Sequence, residues 1–176
     1  MITTTLSKKV LSKYKNPYFF ETGTANGDCV RLALEIGFEK IFSIELDQSL
    51  QIENISKYSN EIKLNKVHLI IGDSLIELEK QILKLEKKTT FWLDAHVDFG
   101  PSGVKRCPLY EEIESISKSS IKNHTIMIDD LRILGSWWGE GIYLEKIKQK
   151  ILDINSQYIF TLEDGFVEND ILVAYI

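Results

Sequence analysis

The stretch YFFETGTANG, Tyr18 to Gly27, decides how this chain is read. Tyr18–Phe19–Phe20 is a short aromatic strand, and Glu21 to Gly27 is a glycine-containing turn behind it. Val30, Ala33, Leu34 and Gly37 then recur at helical spacing. A strand, a glycine turn and a helix make the opening half of a βαβ unit. Gly23 permits a tight turn and a close backbone approach, and Gly27 lets the helix start pack near a ligand. The helix N-terminus offers free backbone N–H groups to an anionic group. Alone, such a turn is also explained by a strand-to-helix connection that needs positive φ.

The same alternation continues outward. Lys40 to Glu45 reads as a second strand and Asp47 onward as a helix. Val67 to Ile71, bounded by Gly72, is a third strand, and Leu75, Leu78, Ile82 and Leu85 form an amphipathic stripe after it. Thr90 to Leu93 is a fourth strand ending at Asp94, and Thr125 to Ile128 a fifth ending at Asp129–Asp130. Pro108 suits a first helical position, and Glu140 to Ile154 carries Leu144, Ile147 and Ile151 on one face. Tyr158 to Leu162 and Ile171 to Ile176 lie too close for a crossover helix, so they pair antiparallel. Met1 to Lys15 reads as a lead-in helix, with Leu6, Val10 and Tyr14 on one face. The pattern predicts an α/β fold, a doubly wound and mostly parallel seven-stranded sheet with an antiparallel last strand.

Composition narrows the partners. With 176 residues, the chain is expected to form one domain spanning 1–176. Twenty-six acids against 21 Lys and Arg, a net charge of −5, argue against nucleic acid, which wants a concentrated basic face. No apolar run approaches the roughly 20 residues that cross a bilayer, so no membrane partner is expected. The N-terminal residues lack a secretory apolar core, and the only cysteines are Cys29 and Cys107. Both points lead to a reducing, cytoplasmic setting.

Three acids at strand ends name a cofactor. Glu21 precedes the glycines, where a pyrophosphate would be repelled and an ammonium group welcomed. Glu45 ends the second strand, where an acid can hold both ribose hydroxyls. Gly72–Asp73–Ser74 ends the third, where Asp73 can accept from an adenine amino group. Ammonium, ribose and adenine together describe S-adenosylmethionine. The motifs ETGTANG, FSIELD, IIGDS and FWLDAH, with the terminal strand pair, resemble the class I S-adenosylmethionine-dependent methyltransferases along essentially the whole chain. That resemblance implies a Rossmann-like fold and a cofactor set of Glu21, Gly23, Thr24, Gly27, Glu45, Asp73, Ser74 and Asp94. Ala25 stands where many members carry a middle glycine.

Chemistry should sit where the fourth and fifth strands end. Neighbouring strands lie about 4.8 Å apart, so Asp94, Asp129 and Asp130 would crowd one mouth. A hard divalent ion such as Mg²⁺ relieves that crowding, with Asp94, Asp129 and Asp130 as its metal ligands. His96 would take the acceptor's proton, making Asp94, His96 and Asp130 the catalytic group. The arrangement resembles the metal-dependent sugar O-methyltransferases of the macrocin O-methyltransferase group, whereas the wording LDAH and CPLYEEI resembles small bacterial relatives linked to surface-glycan modification. A sugar or glycan precursor, or another small hydroxyl compound, is the acceptor this implies.

Plainer readings stand beside these. Asp94 can orient the cofactor without a metal, and Asp130 can cap the following turn. His68 and His124 fall near strand starts and read as structural. Trp137–Trp138 either covers substrate or buries apolar area, and Lys105, Arg106 and Arg132 either meet an acidic acceptor or are solvated. Ala95 to Cys107, with Gly100 and Gly103, is the candidate lid, and Cys107 has no catalytic partner. Competing functions are a nucleotide-cofactor oxidoreductase, a metal hydrolase built on Asp94, His96 and Asp98, and a non-catalytic S-adenosylmethionine-binding domain. So short a chain leaves two arrangements for the acceptor: it is small and held by the loop, or a second copy completes the pocket as a homodimer.

Overall fold

The computed structural model describes residues 4–97, 107–136 and 139–176. Seven strands form one sheet: β1 (Tyr18–Thr22), β2 (Lys40–Glu45), β3 (Val67–Ile71), β4 (Thr89–Leu93), β5 (Thr125–Ile128), β6 (Ile159–Glu163) and β7 (Ile171–Tyr175). Their order is β3-β2-β1-β4-β5-β7-β6. β7 runs antiparallel to both its neighbours, and the pairings among β1 to β5 are parallel. The sheet is the doubly wound arrangement the sequence predicts.

Helices cover both faces, so the central strands are apolar on both sides. Odd and even residues separate cleanly. Tyr18 and Phe20 of β1 join Phe91 and Leu93 of β4 beneath α5 (Ser74–Ile82), α6 (Leu109–Ser117) and α7 (Leu144–Ile154). Phe19, Trp92 and Met127 face the other way, against α1 (Lys8–Lys13) and α2 (Asp28–Ile36). Phe19, Phe20, Phe91 and Trp92 are fully buried, and each such side chain contributes roughly 1.5–3 kcal/mol. Among the described residues no helix is long and apolar enough to cross a membrane.

Several boundaries move. β1 runs on through Glu21 and Thr22, because β2 and β4 flank it to the end, Thr22 lying opposite both Ile44 and Leu93. The lead-in helix is only α1; Ser7 caps it, accepting from the Val10 N–H at 3.2 Å. Residues 4–7 stay out of the helix, and the hydroxyls of Thr4 and Thr5 bond instead to Cys29 and Asp129. Residues 1–3 lie outside the described residues. The helix after Asp47 is two, α3 (Gln48–Lys57) and α4 (Ser59–Lys63). α7 starts at Leu144 rather than Glu140, since Glu140 and Gly141 form a turn with Gly141 at φ +78°.

His124 holds the base of the sheet together. Its Nδ1 accepts from the Thr89 N–H at 3.1 Å, which leaves Nε2–H to donate to Ser119 Oγ at 2.9 Å. Burial pushes its pKa down to about 4, with Lys88 and Lys122 adding to the effect. A histidine held neutral in the fold stabilises it above the unfolded pKa, and that stability drains as pH falls toward 4. Urea unfolding of wild type and His124→Asn should therefore show a stability gap that narrows by up to about 3 kcal/mol between pH 6.5 and 4.

Candidate active site

The parallel strands bring their C-terminal ends to one rim, and the turn after β1 is drawn tightly onto that rim. The N–H groups of Gly23 and Thr24 both donate to the carbonyl of Ile44, at 2.9 and 3.2 Å. Gly23 sits at φ +86°, and a Cβ there would come within 2.6 Å of the Asp94 carbonyl oxygen. Only glycine lets the two backbones approach so closely. Ala25 also takes positive φ, +44°, a conformation that costs a non-glycine residue about 1–2 kcal/mol. That is the physical reason a glycine is favoured at this place.

α3 clamps the turn from outside. Asn54 Nδ2 donates to the Ala25 carbonyl, Lys57 Nζ to that of Asn26 and Tyr58 Oη to that of Gly27. Gln51 Nε2 reaches Thr24 Oγ1 at 3.2 Å and the Ile70 carbonyl at 3.0 Å. A Cβ at Gly27 would meet Asn54 Oδ1 at 2.4 Å, so this glycine makes room for α3 rather than for a ligand.

A cavity of about 460 Å³ opens beside the turn. Gly23, Glu45, Asp73 and Ser74 line one part of it, and Asp94, His96, Asp129 and Asp130 line another. Glu45 accepts from the Ala25 N–H at 2.7 Å and the Asp47 N–H at 2.9 Å, which fixes its carboxylate at the end of β2. Asp73 caps α5 through the Leu75 N–H at 3.0 Å. Thr24 and Glu21 are placed otherwise than expected: both are buried beneath the turn and neither lines the cavity. Strand alternation turns Glu21 toward α2, where it accepts from Ser43 Oγ at 2.7 Å. Burial pushes its carboxyl up to about 8, so it is largely neutral at pH 7 and supplies little negative charge for an ammonium group.

The second part of the cavity gathers His96 and three carboxyl groups. His96 stands between two carboxylates, with Nδ1 3.4 Å from Asp94 Oδ1 and Nε2 3.1 Å from Asp130 Oδ2. A neutral imidazole has one N–H, and the shorter contact assigns it to Nε2. Asp94 is held well above the usual carboxylate range by burial and by the charges of Asp129 and Asp130. Asp129 is pushed up to about 6, again by burial, with the neighbouring Asp130 charge adding to it; the Thr5 hydroxyl donates to it. Asp130 lies at φ +60°, strained for a non-glycine residue.

Among the described residues, two groups of side chains come close enough to hold a cation. Asp94, His96 and Asp130 are one, and Asp129, Asp130 and Asp170 the other, with ligand atoms in each within 4.8 Å of one another. The trio expected from the sequence, Asp94, Asp129 and Asp130, is not among them. Arg132 already serves the second group, its Nη1 contacting both Asp130 and Asp170. Asp98, Lys105, Arg106 and Trp137–Trp138 lie outside the described residues, as does most of the candidate lid.

Sequence reasoning missed Thr5, Glu112, Phe166 and Asp170. Glu112 of α6 is buried beside Ser74 and Thr22, and burial lifts it to about 7. Its one sequence signal is an acid on the apolar face of a helix.

No family model matches the chain, and no curated protein matches it in sequence. Solved structures do. The S-adenosylhomocysteine-bound methyltransferase PaMTH1 of Podospora anserina superposes with TM-score 0.64 at 14% identity, over 96% of this chain and 75% of the other. An O-methyltransferase from Bacillus cereus, in complex with S-adenosylhomocysteine, gives 0.61 at 13%, over 96% and 78%. The O-methyltransferase TomG from Streptomyces achromogenes, involved in tomaymycin synthesis and solved with S-adenosylmethionine, gives 0.60 at 12%, over 96% and 77%. The chain has their fold.

A carboxyl whose pKa is raised by folding stabilises the fold at low pH, and this stability is lost as pH climbs toward the raised value. Glu21→Gln, which mimics the neutral acid, should match wild type near pH 4.5. By pH 8 it should be more stable by a few kcal/mol in urea unfolding.

Proposed function

We propose that the protein transfers the methyl group of S-adenosylmethionine to a hydroxyl of a sugar or another small hydroxyl compound. One observation carries the reading: a single cavity joins the Gly23 turn, the Glu45 carboxylate and the Asp73–Ser74 corner to the His96 group. The fold shared with S-adenosylhomocysteine-bound methyltransferases supports it. The residues fit the cofactor, because Gly23, Asp73 and Ser74 line the cavity together with Glu45, whose carboxylate is fixed by the Ala25 and Asp47 N–H groups. Glu45 and Asp73 would hold ribose and adenine, and Gly23 would face the amino-acid end.

The cofactor brings the electrophilic methyl group, so the protein's task is positioning and proton removal. Asp130 accepts from His96 Nε2–H and fixes the tautomer that turns the Nδ1 lone pair toward the Asp94 side of the cavity, where it serves as the base. The acceptor hydroxyl would give its proton to Nδ1 as its oxygen takes the methyl group from the sulfonium, the broken carbon–sulfur bond leaving its electron pair on sulfur. Asp130 then stabilises the resulting imidazolium, and Asp94, close to Nδ1, orients the acceptor.

A second reading rests on the same grouping. A divalent ion held by Asp94, His96 and Asp130 would lower the pKa of a bound hydroxyl. The nitrogen in this set favours a transition ion over Mg²⁺. His96 would then be a ligand and not a base.

Calorimetry with S-adenosylhomocysteine should show one site, weakened about tenfold or more by Glu45→Ala. His96→Ala should cut kcat by about 10²–10⁴ while leaving that affinity unchanged. Turnover that survives EDTA excludes the metal reading, and absence of binding at millimolar ligand contradicts the cofactor assignment itself.

A further inference from the structure

An aromatic ring stands at the mouth of the cavity with no role in the core. Phe166 sits in the turn Asp164–Gly165–Phe166–Val167 between β6 and β7, a turn closed by the Gly165 N–H donating to the Val167 carbonyl at 3.0 Å. The ring is 72% exposed and lines the cavity. Arg132 lies over it, its guanidinium carbon 4.7 Å from the ring centroid. Arg132 is in turn pinned by Asp130 and by the buried Asp170, and its own N–H donates to Asp170 Oδ1 at 3.0 Å. The contacts run unbroken from Phe166 through Arg132 and Asp130 to His96. The ring therefore belongs to the side of the cavity where the reacting hydroxyl must lie, away from Glu45 and Asp73.

The charges around this ring select what it can hold. Among the described residues that line the cavity, five carry carboxyl groups, Glu45, Asp73, Asp94, Asp129 and Asp130, and Arg132 is the sole lysine or arginine. The Arg132 charge is already shared between two carboxylates. Among the described residues, a phosphate or carboxylate entering here would meet acids and no lysine or arginine beyond the one already shared, and in a partly desolvated cleft that repulsion is only weakly screened. The exposed part of the Phe166 ring offers the opposite surface, apolar with a negative face that attracts C–H groups and ring edges.

We propose that Phe166 is the platform on which the acceptor stacks, and that the acceptor is a hydroxylated ring compound bearing no negative charge. The assignment rests on the methyltransferase reading above and specifies its acceptor. A sugar ring has the required form, one face of C–H groups for Phe166 and hydroxyls at its edge for His96. A catechol edge has it too. A nucleotide-linked, phosphorylated or carboxylated acceptor does not.

The test uses the whole protein and two matched pairs of probes, methyl glucoside against glucose 6-phosphate and catechol against 3,4-dihydroxybenzoate. Binding at millimolar probe is read by saturation-transfer NMR, with and without S-adenosylhomocysteine. At least one neutral probe should bind, and its anionic counterpart should bind about tenfold more weakly or not at all. Phe166→Ala should weaken the neutral probe by about 2- to 10-fold, the worth of one aromatic contact, and Phe166→Tyr should restore it. Since the ring is exposed, both variants should keep the wild-type melting temperature. An anionic probe that binds as tightly as its neutral partner overturns the proposal. So does neutral-probe binding unchanged in Phe166→Ala, or absence of binding by both neutral probes. Calorimetry with S-adenosylhomocysteine on the same samples isolates the cofactor reading: loss of that signal alone, with the probe pattern intact, removes the methyltransferase assignment and leaves the platform.

Discussion

The approach of the Gly23 backbone to the carbonyl of Asp94 sets the dimensions of everything above it. With space for no Cβ between them, the turn after β1 and the end of β4 form one continuous ledge. The ledge in turn requires α3 to hold the turn down, which explains why Asn54, Lys57 and Tyr58 each spend a hydrogen bond on a backbone carbonyl there. Glu45 completes the arrangement by accepting from the Ala25 N–H across the strand boundary. Geometry that costs strain at Ala25 and Asp130 is kept because so many contacts over-determine it.

Crowded acids are the second constraint. Asp94, Asp129 and Asp130 end two adjacent strands, and the fold manages them in different ways. Asp130 is paired with Arg132 and His96. Asp129 takes a hydroxyl from Thr5, brought in by the residues before α1. Asp94, desolvated within the cleft and facing two acidic neighbours, is driven toward its neutral form. Protons and one guanidinium thus do part of the work assigned to a metal by sequence reasoning, and the histidine expected to act beside the ion stands inside the candidate ligand group.

Much of this was legible in the residues. β2, β3 and β5 begin and end where the sequence pattern places them, at Lys40–Glu45, Val67–Ile71 and Thr125–Ile128, because each β-branched and aromatic run is followed closely by a glycine or an acid that ends it. Acids that follow such runs fall at the strand ends by necessity, which is why Glu45, Asp73, Asp94 and Asp130 reach the cavity. Glu21 does not, because β1 continues two residues past its aromatic run and parity then points the side chain into the α2 face. Arg132, Phe166 and Asp170 come together only through the antiparallel register of β5, β7 and β6. No local pattern near any of the three encodes that register. Glu112 was hidden for a related reason: an acid among helix residues looks solvated until the facing strands are placed.

On the proposed function, one ledge would hold the cofactor and point its methyl group at His96. A crystal structure with S-adenosylhomocysteine bound tests it most directly. The account predicts ribose hydroxyls on Glu45, adenine beside Asp73 and Ser74, and the sulfur above Gly23 on the side of Asp94 and His96. A ligand seated elsewhere, or one whose sulfur faces away from His96, would contradict it.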